Sequence, residues 1–170
     1  MPYNLDIAGW MGVAELQHIE NLAQTVPENG LVVEVGSWHG RSSWAWANSI
    51  PKSATLHCID VWPENTLEIF LTNTKDCKNI SIHRTDSCLG LASLLGKQCD
   101  IIFLDGSHKN PEFMMELQLS QRLLKNGGIL CGHDFHSLFP DVVNEVRNFS
   151  AKLNKPVHFC LDSSIWRILF

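Results

Sequence analysis

The sequence predicts an α/β fold in which a mostly parallel, twisted sheet carries helices on both faces. Three observations support this prediction. The chain of 170 residues has the length of one domain. Short runs rich in Val, Ile, Leu and Phe alternate with segments whose apolar residues recur at helical spacing. The last two apolar runs are joined only by the polar turn 162–164, which predicts an antiparallel hairpin.

Each element is predicted from its own local pattern. Strands are predicted over 31–36, 55–61, 80–84, 100–105, 129–133, 157–161 and 165–169, and helices over 13–25, 42–48, 64–73, 87–95 and 142–153. A further helix has Asn110 as N-cap and Pro111 in the first turn, and Gly127 and Gly128 stop it. Together these elements predict a single Rossmann-like domain over 1–170, with an N-terminal helical segment over 1–30.

Composition and charge narrow the class of protein. Hydrophobic residues make up 45% of the chain and charged residues 18%, which is typical of a folded globular domain. The formal net charge is −5 and basic residues do not cluster, which argues against nucleic-acid binding. Apolar runs are too short to span a membrane and the N-terminus lacks a secretory pattern, so we expect a cytoplasmic protein with no membrane partner.

The six cysteines form no CxxC pair. Cys58, Cys131 and Cys160 lie in apolar runs that are predicted to be buried strands. This placement favours free thiols in a reducing compartment over a disulfide framework or a zinc site.

The first candidate site follows the first predicted strand and contains Glu34, Gly36, Ser37 and Gly40. Open α/β sheets bind ligands at the carboxyl ends of their strands, and glycines allow a sharp turn that approaches a ligand closely. The G-x-x-x-G spacing and the acidic Glu34 disfavour a pyrophosphate and suit a ligand with a cationic group. Alternatively, the glycines serve only the turn.

Polar residues also end the second and third predicted strands. Asp60, followed by Val61, can accept hydrogen bonds from both hydroxyls of a ribose; the alternative is an N-cap for the next helix. Asp86 and Ser87 can bind the edge of an adenine, and Asp86 is an equally good N-cap.

The most informative residues end the fourth and fifth predicted strands. Asp105 and His108 follow the fourth strand, and His133, Asp134 and His136 follow the fifth. Because these strand ends should be neighbours, two carboxylates and up to three imidazoles meet beside the cleft. A divalent cation would neutralise the carboxylates, with Mg²⁺ suited to the oxygens and Mn²⁺ as the alternative, and a loop histidine can act as general base. The alternative is that these are capping and turn residues.

These residues resemble the class I S-adenosylmethionine-dependent methyltransferases. The resemblance spans about 31–148 and rests on VVEVGSWHGRSS (32–43), HCIDVW (57–62), IIFLDGSHKNPEF (101–113) and LLKNGGILCGHDF (123–135). The most similar subgroup is the small metal-dependent O-methyltransferases, which include the macrocin-type and cephalosporin-hydroxylase-like proteins. The resemblance implies S-adenosyl-L-methionine as cofactor, a small-molecule hydroxyl as acceptor, and assistance by Mg²⁺ or Mn²⁺.

The resemblance also implies a role for each matching residue. The cofactor-binding set is Glu34, Gly36, Ser37, Gly40, Asp60, Val61, Asp86, Ser87 and Asp105. His108, in the D-G-x-H motif, is the implied base, and the metal ligands are Asp105, His133 and Asp134. His133 and Pro111 depart from the pattern, because relatives often carry an acidic ligand and a tyrosine there.

Two other classes of function stay open from the sequence. A regulatory protein could bind the cofactor without catalysis. A metal-dependent hydrolase or hydroxylase could use the histidine and aspartate cluster, but it would give the glycine turn and Asp60 no role. Trp38, Trp62 and His136 could line a pocket for a planar or sugar acceptor, Trp62 could also cover the adenine, and the oligomeric state is undetermined.

Overall fold

The computed structural model describes residues 3–170, so the first two residues of the predicted domain lie outside the described part. The strands are β1 (Leu31–Val35), β2 (Thr55–Asp60), β3 (Ile80–Arg84), β4 (Cys99–Leu104), β5 (Leu124–Gly132), β6 (His158–Phe159) and β7 (Trp166–Leu169). The helices are α1 (Val13–Ala23), α2 (Arg41–Ser49), α3 (Thr66–Thr74), α4 (Ser87–Ser93), α5 (Glu112–Leu123) and α6 (Pro140–Leu153).

All seven strands form one sheet in the order β3-β2-β1-β4-β5-β7-β6. Strands β1 to β5 pair in parallel, whereas β7 pairs antiparallel with both β5 and β6. The predicted fold class and terminal hairpin are therefore confirmed. The strand order reverses between β1 and β4, and an open α/β sheet presents its ligand cleft at the carboxyl ends of the strands beside such a reversal.

The hydrophobic core has two layers, one on each face of the sheet. Alternate residues of a strand point to opposite faces, so Ile101 and Phe103 of β4 pack with α1, α2 and α3, whereas Ile102 and Leu104 pack with α4, α5 and α6. Each fully buried side chain of this size stabilises the fold by about 1.5–3 kcal/mol. The two layers hold the strand ends rigidly, which fixes the positions of the loops that follow them.

The predicted boundary between α5 and β5 is wrong. The helix ends at Leu123 and the strand starts at Leu124, so Gly127 and Gly128 lie inside β5 and do not stop a helix. The pairing with β4 shifts between Cys99 and Ile101, and the extra residues of β5 bulge there. Gly127 takes a positive φ of 82° in this irregular stretch.

The predicted cap at Asn110 is also wrong, because α5 begins at Glu112 and Pro111 occupies the N-cap position without a side-chain cap. Asn110 instead reaches α6, where its backbone N–H donates to Asp141 and its side-chain amide donates to Glu145.

All six cysteines are free, as predicted. Cys58 and Cys131 are buried, but Cys160 is only half-buried, since β6 ends at Phe159 and leaves Cys160 outside the strand. Within residues 3–170, no helix is both long and apolar enough to cross a bilayer.

Candidate active site

A cavity of about 850 Å³ opens at the carboxyl ends of the parallel strands. Its walls include every predicted site residue except Glu34, namely Gly36, Ser37, Gly40, Asp60, Val61, Asp86, Ser87, Asp105, His108, His133 and Asp134. The loops after five separate strands thus meet in one space, which is large enough for a ligand of drug or nucleotide size.

The turn after β1 lies directly against the end of β4. Gly36 has a φ of +86°, and a Cβ built on it would lie 2.1 Å from the carbonyl oxygen of Asp105. Gly40 has a φ of +90° and occupies the N-cap position of α2. At position 36 only glycine allows both the positive φ and the close contact with Asp105. Because no side chain intervenes there, the backbone of the turn lies close to the cavity.

The structure does not place Glu34 on the cavity wall, so it does not support the predicted direct contact with a ligand. Glu34 is fully buried beneath the turn, where its Oε2 accepts hydrogen bonds from the hydroxyls of Ser37 and Ser43. Burial raises the pKa of Glu34 to about 7, although the serine hydrogen bonds oppose the shift. The carboxyl therefore shapes the turn from below.

Asp60 faces the cavity and also organises two loops. Its Oδ2 accepts the backbone N–H of Trp38 at 2.8 Å, and its Oδ1 accepts that of Trp62 at 2.7 Å. It does not cap the next helix, because Asn65 holds the N-cap position of α3. Carboxylate oxygens accept more than one hydrogen bond each, so Asp60 keeps capacity for two hydroxyls of a ligand.

Asp86 is the N-cap of α4 and also lies on the cavity wall. Its Oδ1 accepts the backbone N–H groups of Cys88 and Leu89 and so caps α4, while the residue and its neighbour Ser87 line the cavity. Val61, between Asp60 and the buried Trp62, is 57% exposed and forms an apolar part of the wall.

Trp62 does not line the cavity, which excludes it as a cover for the adenine or as part of the acceptor pocket. It is fully buried, its indole N–H donates to the carbonyl of Trp38 at 2.7 Å, and its ring packs on Phe70. Trp38 and His136, the other two residues predicted to line the acceptor pocket, do line the cavity.

The carboxylates and imidazoles that follow β4 and β5 do converge. The Nε2 atom of His108 lies 2.7 Å from Oδ2 of Asp134 and 3.8 Å from Oδ1 of Asp105. The first of these is a close ion pair rather than an aligned hydrogen bond, since Nε2 has no partner of good hydrogen-bond geometry. Catalytic contacts are often poorly aligned before a ligand binds.

These contacts shift the charge state of the site. The contacts with Asp105 and Asp134 raise the pKa of His108 to about 9. Burial raises the pKa of Asp134, but its contacts with His108 and His133 outweigh burial and lower it below the usual range. His108 is therefore an imidazolium at neutral pH in this arrangement, and the imidazoles help to neutralise the aspartates.

No sequence pattern indicated Glu15, which also lines the cavity. Its Oε1 lies 2.7 Å from Nε2 of His133, and the other ring nitrogen, Nδ1, lies 3.2 Å from Oδ1 of Asp134. Burial lowers the pKa of His133, but the contacts with Asp134 and Glu15 outweigh burial and raise it to about 10. Glu15 and His133 are 118 positions apart, so no local pattern could have paired them.

A divalent cation fits part of this cluster. Asp105, His108 and Asp134 each offer a ligand atom, and the three atoms lie within 4.8 Å of one another. Oxygen and imidazole donors suit Mg²⁺ or Mn²⁺. His108 is thus the third donor of this group. The predicted ligand His133 directs its Nε2 at Glu15, and its Nδ1 lies 3.2 Å from Oδ1 of Asp134. An imidazole that binds a metal through Nε2 carries its proton on Nδ1 and cannot accept another, so metal ligand and base are exclusive roles for His108.

The sequence also did not predict that the segment before α1 forms a wall of the cavity. Its residues Ala8, Gly9, Trp10 and Met11 line the space. Arg41, at the start of α2, holds the segment by donating hydrogen bonds to the carbonyls of Leu5, Ile7 and Met11. Trp10 stacks on Trp38 with ring centroids 4.4 Å apart.

Residues 33–135, more than half of the chain, match the family described as "Methyltransferase domain". The sequence has no significant match among curated proteins. Three solved structures of low identity share the fold. A precorrin 8w decarboxylase from Methanobacterium thermoautotrophicum has a TM-score of 0.73 at 18% identity, over 98% of this chain and 94% of that chain. An O-methyltransferase from Bacillus cereus in complex with SAH has a TM-score of 0.72 at 14% identity, over 97% and 85%. A SAM-dependent O-methyltransferase from Thermotoga maritima has a TM-score of 0.67 at 14% identity, over 98% and 67%.

Proposed function

Since this chain belongs to the methyltransferase-domain family, we propose that it transfers the methyl group of S-adenosylmethionine to a hydroxyl oxygen of a small molecule. One observation carries the proposal: a nucleoside-sized cavity has a glycine turn and Asp60 on one side and His108 between two aspartates on the other. The Bacillus cereus O-methyltransferase was solved with the demethylated cofactor, which supports the same ligand here.

Each part of the cavity has a separate task in this proposal. Asp60 accepts hydrogen bonds from the ribose hydroxyls, and Asp86 and Ser87 face the adenine. The backbone around Gly36 contacts the methionine part of the cofactor. Asp105 lies beside that part too, because its backbone is packed against Gly36. The negative charge of Asp105 and Asp134 stabilises the positively charged sulfonium next to the acceptor.

The proposed reaction is an in-line displacement. The acceptor oxygen bonds to the methyl carbon, and the carbon–sulfur bond breaks with its electron pair going to sulfur, which leaves S-adenosylhomocysteine. The hydroxyl proton goes to Nδ1 of a neutral His108, because Nε2 faces the Asp134 carboxylate at 2.7 Å and keeps its own proton there. The sulfonium favours that neutral form, since a cation beside the same aspartates opposes the imidazolium. The protein contributes alignment of the two substrates and exclusion of water.

The proposed reaction can also be assisted by a divalent cation. Held by Asp105 and Asp134, it would polarise the acceptor hydroxyl and lower its pKa. This placement leaves His108 free to act as the base.

The test has a binding part and a turnover part. Calorimetry with S-adenosylmethionine and S-adenosylhomocysteine measures cofactor binding, and transfer of a labelled methyl group to a panel of phenols, sugars and alcohols measures turnover. We expect binding of both nucleosides and transfer to at least one hydroxyl. Absence of binding would refute the proposal, and binding without transfer to any acceptor would favour a regulatory protein.

Variants of His108 test the base. We expect His108→Gln to lower kcat by about 10²–10⁴-fold, the usual contribution of a general base, with the affinity for S-adenosylhomocysteine little changed. His18→Gln is the matched control, because His18 lies on α1 outside the cavity lining and hydrogen-bonds to the Leu161 carbonyl. Full activity of His108→Gln would exclude the base, and full activity after chelation would exclude a required metal.

A further inference from the structure

Glu15 joins two parts of the molecule that are far apart in sequence. In the first turn of α1, its Oε2 accepts the backbone N–H of Gly12 at 3.1 Å, directly after the cavity-wall residues 8–11. Its Oε1 lies 2.7 Å from Nε2 of His133, at the end of β5. The side chains of Glu15 and His133 are only 17% and 10% exposed, so solvent screens this contact weakly.

The contact continues from His133 to the proposed base. Asp134 contacts the neighbouring rings with both oxygens: Oδ2 lies 2.7 Å from Nε2 of His108, and Oδ1 lies 3.2 Å from Nδ1 of His133. Nε2 of His136 also lies 3.4 Å from Oδ1, but the side chain of His136 is 38% exposed, so solvent screens that contact more than the contact with the less exposed His133. Because a carboxylate is rigid and planar, a contact that holds Oδ1 also sets the direction of Oδ2. The orientation of His108 therefore depends on where the His133 ring is held.

We propose that Glu15 is a positioning residue, which acts through His133 and Asp134 to hold His108 in its place for methyl transfer. The proposal rests on the proposed function for its kinetic consequence but not for its geometry. His133 supplies the reason for this arrangement, since both of its ring nitrogens face carboxylates and the ring is fixed only while both are present. Partners that orient a functional side chain in this way commonly change activity by 10–100-fold when removed.

The competing explanation is that Glu15 only stabilises its helix. Glu15 accepts the backbone N–H of the N-cap residue Gly12, so its removal could lower stability without any effect on His108. Glu15→Gln separates the two roles, because the amide oxygen can still accept the Gly12 N–H while the carboxylate facing His133 is lost. Glu20→Gln is the matched control, since Glu20 lies on the same helix and bonds only to Gln17 at the surface.

The first experiment needs no turnover. Nitrogen-15 spectra of histidine-labelled protein, assigned with His108→Gln and His133→Gln, report the surroundings of each ring. We expect Glu15→Gln to shift the ring signals of both His133 and His108, and Glu20→Gln to shift neither. A shift confined to His133, or a loss of thermal stability with the His108 signals unmoved, would overturn the proposal.

The second experiment measures kcat and KM for labelled methyl transfer. We expect Glu15→Gln to lower kcat by about 10-fold with the KM for S-adenosylmethionine within about twofold of wild type. In a double-mutant cycle, Glu15→Gln should add little to the effect of His133→Gln, because both break the same series of contacts. If the effects of the two substitutions on kcat were fully additive, Glu15 and His133 would not act through the same series of contacts. If wild type transfers no methyl group, the proposed function fails, and the spectra alone decide this inference.

Discussion

At the scale of single residues, the site depends on one close approach between two loops. The Gly36 turn touches the backbone of Asp105, so the part of the cavity proposed for the cofactor and the part that carries the acidic residues are in direct contact. A side chain at position 36 would separate them. The same contact explains why a glycine is required there beyond its backbone angle.

Gly36→Ala should be strongly destabilising, because its Cβ would lie 2.1 Å from the Asp105 carbonyl oxygen. We expect a loss of more than about 2 kcal/mol in the free energy of unfolding, measured in urea, together with loss of S-adenosylhomocysteine binding. Gly127→Ala is the control, since Gly127 has a similar φ of +82° but open space around it. It should cost about 1 kcal/mol, the price of the backbone angle alone. Equal losses in the two variants would show that the contact is unimportant.

At the scale of secondary structure elements, neighbouring strands β2 and β3 carry a pair of buried or half-buried histidines. Nδ1 of His57 lies 2.6 Å from Nε2 of His83, and Lys97 is the other cationic group near both rings. Burial lowers the pKa of His57 to about 4, with the repulsion by His83 and Lys97 adding to the shift, and it also lowers the pKa of His83. Burial and repulsion therefore oppose protonation of the two rings together.

This pair predicts a loss of stability in acid. A depressed folded-state pKa contributes stability that is present above the unfolded value of 6.5 and is lost as the pH falls towards about 4. We expect His57→Gln to lose less unfolding free energy than wild type between pH 7 and pH 4.5, by on the order of 2 kcal/mol. Urea unfolding at several pH values measures this difference. Parallel pH curves for the two proteins would contradict the prediction.

At the scale of the whole molecule, the N-terminal segment completes the cavity. Arg41 is the main polar tie between that segment and α2, because its guanidinium donates to three carbonyls in a fixed arrangement. A lysine keeps the charge but cannot form this fork. Arg41 therefore supplies hydrogen bonds that hold the cavity wall at residues 8–11, in addition to the stacking of Trp10 on Trp38.

Arg41→Lys should weaken S-adenosylhomocysteine binding by about 5–10-fold, equivalent to about 1–1.4 kcal/mol, since the wall loses up to two hydrogen bonds. It should also make residues 5–12 more sensitive to limited proteolysis. Arg122→Lys is the control, because Arg122 is an exposed residue in the last turn of α5. Calorimetry and protease digestion measure both effects, and unchanged affinity with a cleaved segment would show that the wall does not contact the ligand.

The sequence by itself determined the order and type of the elements, because hydrophobic periodicity is a local property. It also predicted eleven of the residues that line the cavity, since parallel strands end at the same edge of a sheet and polar residues follow those ends. The α5 to β5 boundary could not be predicted in the same way, because Leu123 and Leu124 fit either element.

Only the tertiary structure decided which of these side chains face the ligand space. Glu34 and Trp62 lie next to wall residues in sequence but point into the core, and Glu15 reaches His133 from a helix 118 positions away. Local patterns carry no information about such contacts, because they depend on how helices pack on the two faces of the sheet. The charge balance of the aspartates was undetermined for the same reason: the imidazoles that neutralise them do so only at the distances set by packing.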